Sequence, residues 1–154
     1  MYENTYPDKR FQITIDFLQK HVSKSERILD LGVSNPLSKI MEKEGFSVQN
    51  TSGEDLDLNT NTLETNNSDV VTAFEIFEHL LSPFTVLKNI KAQKLVASIP
   101  LRLWFASAYR SKTDVRDRHF HEFESWQFDW LLEKTGWKII ASEKWTNPTK
   151  KNWI

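Results

Sequence analysis

Apolar and polar positions change period several times along the chain, and each change marks an element. Between Arg10 and His21 the apolar residues Phe11, Ile13, Ile15, Phe17 and Leu18, with Asp16, Gln19 and Lys20 interposed, predict a short leading helix. Arg27 to Leu31 is β-competent, stops at Gly32, and predicts a strand buried on both faces. A helix follows: Ser34 or Asn35 can cap it, Pro36 suits its first position, Leu37, Ile40 and Met41 form one stripe, and Gly45 ends it. Phe46 to Thr51 alternates and predicts a second strand, leaving through the turn residues Ser52-Gly53-Glu54-Asp55. Asp57 to Ser68 is polar, rich in Asn and Thr, and reads as a loop with little room for a further helix and strand pair.

Asp69 to Phe74 predicts a buried strand, and Ser82-Pro83 a capped start to a helix over Phe84 to Ile90. Lys94 to Ile99 predicts another strand, closed by Pro100, and Leu101 to His121 a long loop or lid. Glu124 to Thr135 reads as a helix ended by Gly136, Trp137 to Trp145 as a final strand, and the chain then runs out in a polar tail. Strands alternating with helices imply an α/β fold: an open, mostly parallel sheet in a three-layer α/β/α sandwich, as one domain over 1–154. In such sheets ligands sit at the carboxyl ends of the strands.

Composition narrows the chemistry. The 154 residues contain no cysteine, which removes disulfides, thiolate metal sites and cysteine nucleophiles, so that any metal must use His, Asp or Glu. Twenty basic residues against 21 acidic ones leave a formal net charge of −1, without a global attraction to nucleic acid or anionic lipid. There is no run of 18 or more apolar residues and the start of the chain is polar, so the expectation is a cytoplasmic protein without membrane contact.

The predicted strand ends carry Asp30-Leu31-Gly32, then Glu54-Asp55 with Asp57, then Phe74-Glu75-Ile76-Phe77-Glu78-His79-Leu80, three acidic clusters expected to face one crevice. Their order, over roughly residues 27 to 145, resembles the class I S-adenosylmethionine-dependent methyltransferases, particularly the branch with an E-x-x-E-H-L segment after the fourth strand. The resemblance implies a Rossmann-like methyltransferase fold and cofactor contacts from Asp30, Gly32, Val33, Asp55, Asp57 and Phe74. It also implies methyl transfer to an unidentified small-molecule acceptor, with a hydroxyl oxygen leading. Two departures stand out: Ser34 and Pro36 replace usual glycines, and no carboxylate stands near Ser52 to grip a ribose, leaving Asp55 or Asp57 for that task. The short 57–68 segment and the short stretch after Trp145 imply a sheet trimmed to about five strands. A catalytically silent methyltransferase-like binding module is the alternative suggested by Ser34 and Pro36.

Spacings of i, i+3 and i+4 would put Glu75, Glu78 and His79 on one face if the strand ran straight into a helical turn. Carboxylates with imidazole suit Mg²⁺ or Mn²⁺. Similar E-x-x-E-H segments bind such ions in ubiquinone-biosynthesis O-methyltransferases and in small-RNA 3′-end 2′-O-methyltransferases. The latter add a downstream histidine that His121 matches. The resemblance therefore implies the metal set Glu75, Glu78, His79 and His121, with His79 or His119 as proton acceptor. Without a metal, Glu75 would line the crevice while Glu78 and His79 capped the turn. The basic run from Arg102 to Arg118 has two readings. One is an RNA-guiding surface with Trp104, Phe105 and Tyr109 as stacking faces, as a metal-assisted RNA 2′-O-methyltransferase would need; the other is a solvated loop whose aromatics pack inward.

Overall fold

The structure is a computed structural model describing residues 6–146; the polar start over 1–5 and the polar tail over 147–154 lie outside the described residues. The elements are α1 (Tyr6–His21), β1 (Arg27–Asp30), α2 (Pro36–Lys43), β2 (Ser47–Asn50), α3 (Asn61–Thr65) and β3 (Val70–Phe74). A 3₁₀ turn at Phe77–His79 leads to α4 (Pro83–Asn89), β4 (Lys94–Ser98), a second 3₁₀ turn at Val115–Asp117, and α5 (Ser125–Lys134). The four strands pair in parallel in the order β2-β1-β3-β4, with Asp30 opposite both Asn50 and Thr72. The chain steps outward from β1 to β2, then crosses back to β3 on the other side. The direction of winding thus reverses between β1 and β3.

Successive strand side chains point to opposite faces, and both faces here are apolar. Leu29, Val71 and Ala73 join one buried cluster with Leu63 of α3, Leu87 of α4 and Phe128 of α5. Ile28, Val70 and Val96 join a second with Leu18 of α1 and Met41 of α2. This double burial explains why the strands read as continuous apolar runs.

Asn35, the second of the two expected caps, starts α2. Its carboxamide oxygen accepts from the Leu37 and Ser38 N–H groups at 2.9 and 3.1 Å, while Ser38 Oγ accepts from the Asn35 N–H at 2.9 Å. Asn35→Ala is expected to cost about 1 kcal/mol, read as a drop of roughly 3 °C in thermal midpoint. An unchanged midpoint would show that the cap carries no net stability.

Three expectations need correction. The 57–68 segment adds no strand, as its length implied, but it does contain α3, because one buried apolar residue, Leu63, suffices to pin a single turn. Ser82 precedes α4 without capping it: its hydroxyl pairs with Thr85 Oγ1 at 2.7 Å, and Asp57 accepts from the Leu81 and Ser82 N–H groups instead. Trp137 to Trp145 forms no strand among the described residues, so the sheet has four strands and not about five. Alternation makes a segment β-competent, but a ladder needs a neighbouring free edge. Here the Trp137 N–H closes the turn onto the Leu132 carbonyl, its indole donates to the Leu87 carbonyl at 3.2 Å, and Lys144 reaches Ser125 on α5.

Candidate functional site

A cleft of about 230 Å³ opens at the carboxyl ends of β1, β3 and β4, where Asp30, Leu31, Phe74, Glu75 and Ser98 form its floor. Arg10, Phe11 and Thr14 of α1 and the start of α2 form its walls. It therefore occupies the point where the winding reverses, the position at which open α/β sheets bind ligands.

Asp30 is buried and faces into the sheet, accepting from Thr72 Oγ1 at 2.6 Å and Asn50 Nδ2 at 3.0 Å. Burial raises its carboxyl above the usual range, against the opposing pull of those two hydrogen bonds. The Gly32 N–H donates to Thr51 Oγ1 at 2.8 Å, and the Gly32 carbonyl accepts from Asn50. Val33 rests against Gly53 so closely that a Cβ there would lie 2.8 Å from Val33 Cγ1, bringing the loops after β1 and β2 together. Asp55 accepts from the Asp57 N–H, and Asp57 holds the start of α4. Of the residues the resemblance implied for a cofactor, Asp30 and Phe74 line the cleft, whereas Gly32, Val33, Asp55 and Asp57 shape the loops beside it.

The N-terminus of α2 reaches the cleft with no donor to spare. Pro36 has no N–H, and Asn35 takes those of Leu37 and Ser38 with its side chain and that of Lys39 with its carbonyl. A phosphate would find no backbone anchor there.

Past β3 the backbone departs from the straight strand-to-helix path. Glu75 has φ 56°, the one non-glycine residue with positive φ among the described residues, a conformation costing about 1–3 kcal/mol. It is held there from both ends: its N–H donates to the Ser98 carbonyl at 3.0 Å, and its carboxylate accepts from Ser98 Oγ at 2.8 Å and faces Arg10 at 3.8 Å. The 3₁₀ turn then points Glu78 inward, where its side chain is 1% exposed and neither carboxylate oxygen has a hydrogen-bond partner. Burial, and secondarily the charge of Glu75, pushes its pKa from 4.5 up to about 8.

Two imidazoles face that carboxylate. His79 Nε2 lies 3.7 Å from Glu78 Oε1. His79 Nδ1 donates to the Arg118 carbonyl at 3.0 Å, since a carbonyl can only accept, and in the neutral ring this places the lone pair on Nε2. His119 meets His79 edge to face at 4.6 Å between ring centres, and burial together with His79 lowers its pKa. One ligand atom from each of Glu78, His79 and His119 falls within 4.8 Å of the others. The left-handed turn at Glu75 breaks the helical spacing on which its membership of this group depended. His121 points elsewhere as well, its Nε2 on the Leu81 carbonyl at 3.2 Å and its ring stacked on Phe123. The structure thus gathers Glu78, His79 and His119, where the spacing had suggested Glu75, Glu78 and His79 and the resemblance had added His121.

His119 arrives on the 101–121 loop. The feet of that loop are tied by a bridge between Leu101 and Phe123, and its return limb by the Phe120 and His121 N–H groups on the Glu78 carbonyl. Tyr109 packs on His119 at 4.6 Å and its hydroxyl donates to Asp117. The aromatics do not all pack inward: Trp104 is 91% exposed. Sequence reasoning also missed Arg10, Phe11 and Thr14 as cleft residues, because nothing in an ordinary helix pattern says which ligand-bearing edge it will overlie. Neither protein-family models nor curated proteins match the chain, so its α/β fold with a four-stranded parallel sheet and the groups at its strand ends carry the functional argument.

Proposed function

We propose that the chain is an S-adenosylmethionine-dependent methyltransferase domain of the three-layer, Rossmann-like kind, acting on a hydroxyl-bearing acceptor. The observation that carries this reading is the cleft at the winding reversal, acid-bearing and open, beside a helix N-terminus whose donors are all taken. A nucleoside without phosphates suits it better than a dinucleotide. The two buried clusters on alternate strand positions support the layered arrangement. Bound there, the cofactor would supply an electrophilic methyl group. Arg10 and Glu75 would line its pocket, and where no ion occupies the neighbouring group, His79 or His119 would take the acceptor's proton.

Glu78, His79 and His119 fit a divalent ion, because a buried carboxylate without partners is costly unless an ion or a proton neutralises it. With one carboxylate and two imidazoles the donor set favours Mn²⁺ over Mg²⁺. Such an ion would polarise the acceptor hydroxyl.

Calorimetric titration with S-adenosylhomocysteine is expected to show binding in the micromolar range, about −8 kcal/mol. Absence of heat from protein shown to be folded by circular dichroism would sink the enzymatic reading. It would leave the second one, a silent interaction module, favoured by the Val33–Gly53 contact and by Pro36.

A further inference from the structure

The limb of the 101–121 loop that leaves its foot at Leu101 presents a surface that neither the cleft nor the Glu78 group uses. Leu103, Trp104 and Phe105 are 53%, 91% and 65% exposed in succession, and Val115 is 66% exposed on the same loop. Exposed apolar groups of this size in an unbroken run mark a contact surface. Around them in sequence stand Arg102, Arg110, Lys112, Arg116 and Arg118, all exposed, against only Asp114 and Asp117. The whole chain carries a formal charge of −1, so this concentration of cations is local to the loop.

We propose that this loop docks the protein on an anionic membrane surface, with Leu103, Trp104 and Phe105 entering the interface and the flanking Arg and Lys residues meeting the headgroups. Charge complementarity favours an anionic partner. The apolar composition favours lipid over nucleic acid, because Leu103 and Val115 are aliphatic and offer a base nothing to stack on, whereas acyl chains accept aliphatic and aromatic groups alike. Trp104 and Phe105 stand edge to face, 85° apart, and do not form parallel faces between which a base could slip. The feet of the loop are fixed to Phe123 and to the turn bearing Glu78, so the exposed side chains beside them can enter an interface while the base stays folded. The proposal is independent of what the cleft binds.

The test is co-sedimentation of the full chain with vesicles of phosphatidylcholine alone or with about 30 mol% phosphatidylserine, at low and high salt. Partition onto the anionic vesicles is expected to exceed that onto neutral ones about fivefold, to fall with salt, and to drop about tenfold in Trp104→Ala/Phe105→Ala. Both positions are exposed, so the thermal midpoint should not move. Brominated acyl chains should quench the parent's tryptophan emission, and quench Trp104→Phe markedly less while it still binds. Failure to sediment with anionic vesicles overturns the proposal, and so does undiminished binding by the double variant. A double variant that loses affinity for a single-stranded RNA oligomer, with vesicle binding absent, assigns the loop to nucleic acid instead.

Discussion

Glu78→Gln is expected to make the metal-free protein more stable than the parent in alkaline solution, with the advantage vanishing in acid. The folded-state pKa of Glu78, about 8, lies above its ordinary value of 4.5, so the native protein holds a proton there that the unfolded chain has released. The stability this proton confers is full below about 4.5 and is lost as pH rises through about 8. Each pH unit in that window removes roughly 1.4 kcal/mol, several kcal/mol in total. Glutamine imitates the neutral form at every pH and escapes the loss. Urea unfolding in the presence of chelator at a series of pH values between the two limits reads the effect directly. A difference between the two proteins that does not vary with pH would mean that Glu78 is solvated or paired. Saturating Mn²⁺ should reverse the order, since an ion bound only by the folded parent stabilises it by mass action.

The second large effect separates two neighbouring histidines. His119→Ala is expected to weaken Mn²⁺ binding by more than the roughly 10–100-fold that loss of an outer-shell partner costs, whereas His121→Ala should change it by no more than about threefold, since its ring touches none of the three ligands and falls below even an outer-shell partner. The reason is geometric: His119 stands with Glu78 and His79, while His121 spends its Nε2 on the Leu81 carbonyl. Manganese titration followed by electron paramagnetic resonance measures both variants. Loss concentrated in His121→Ala would restore the ligand set implied by the resemblance, and no saturable binding by the parent would dismiss the ion site.

Much of the layout is legible in the sequence. The run Arg27-Ile28-Leu29 predicts β1 because a strand buried on both faces has no polar side, and Asn35-Pro36 announces the start of α2 through its own local hydrogen bonds. The exception among the expected strands is instructive. Trp137 to Trp145 has the alternation, but pairing is a property of two segments, and among the described residues no edge meets it. The candidate site was legible in its residue types and less so in their grouping. Glu75, Glu78 and His79 share a helical face only if the backbone is helical, and one left-handed residue sends Glu75 to Ser98 and Arg10 while Glu78 turns inward.

The chain's own chemistry thus determined most of its secondary elements, their parallel alternation and the acidic strand ends, since periodicity, capping and turn residues act over a few positions. Only tertiary structure decided that Asp30 is held by Thr72 and Asn50, that α1 closes over the cleft, and that His119 faces Glu78. Those outcomes join residues about 20 to 40 positions apart or more through close packing, and a burial strong enough to keep a proton on Glu78 has no signature within the segment that carries it.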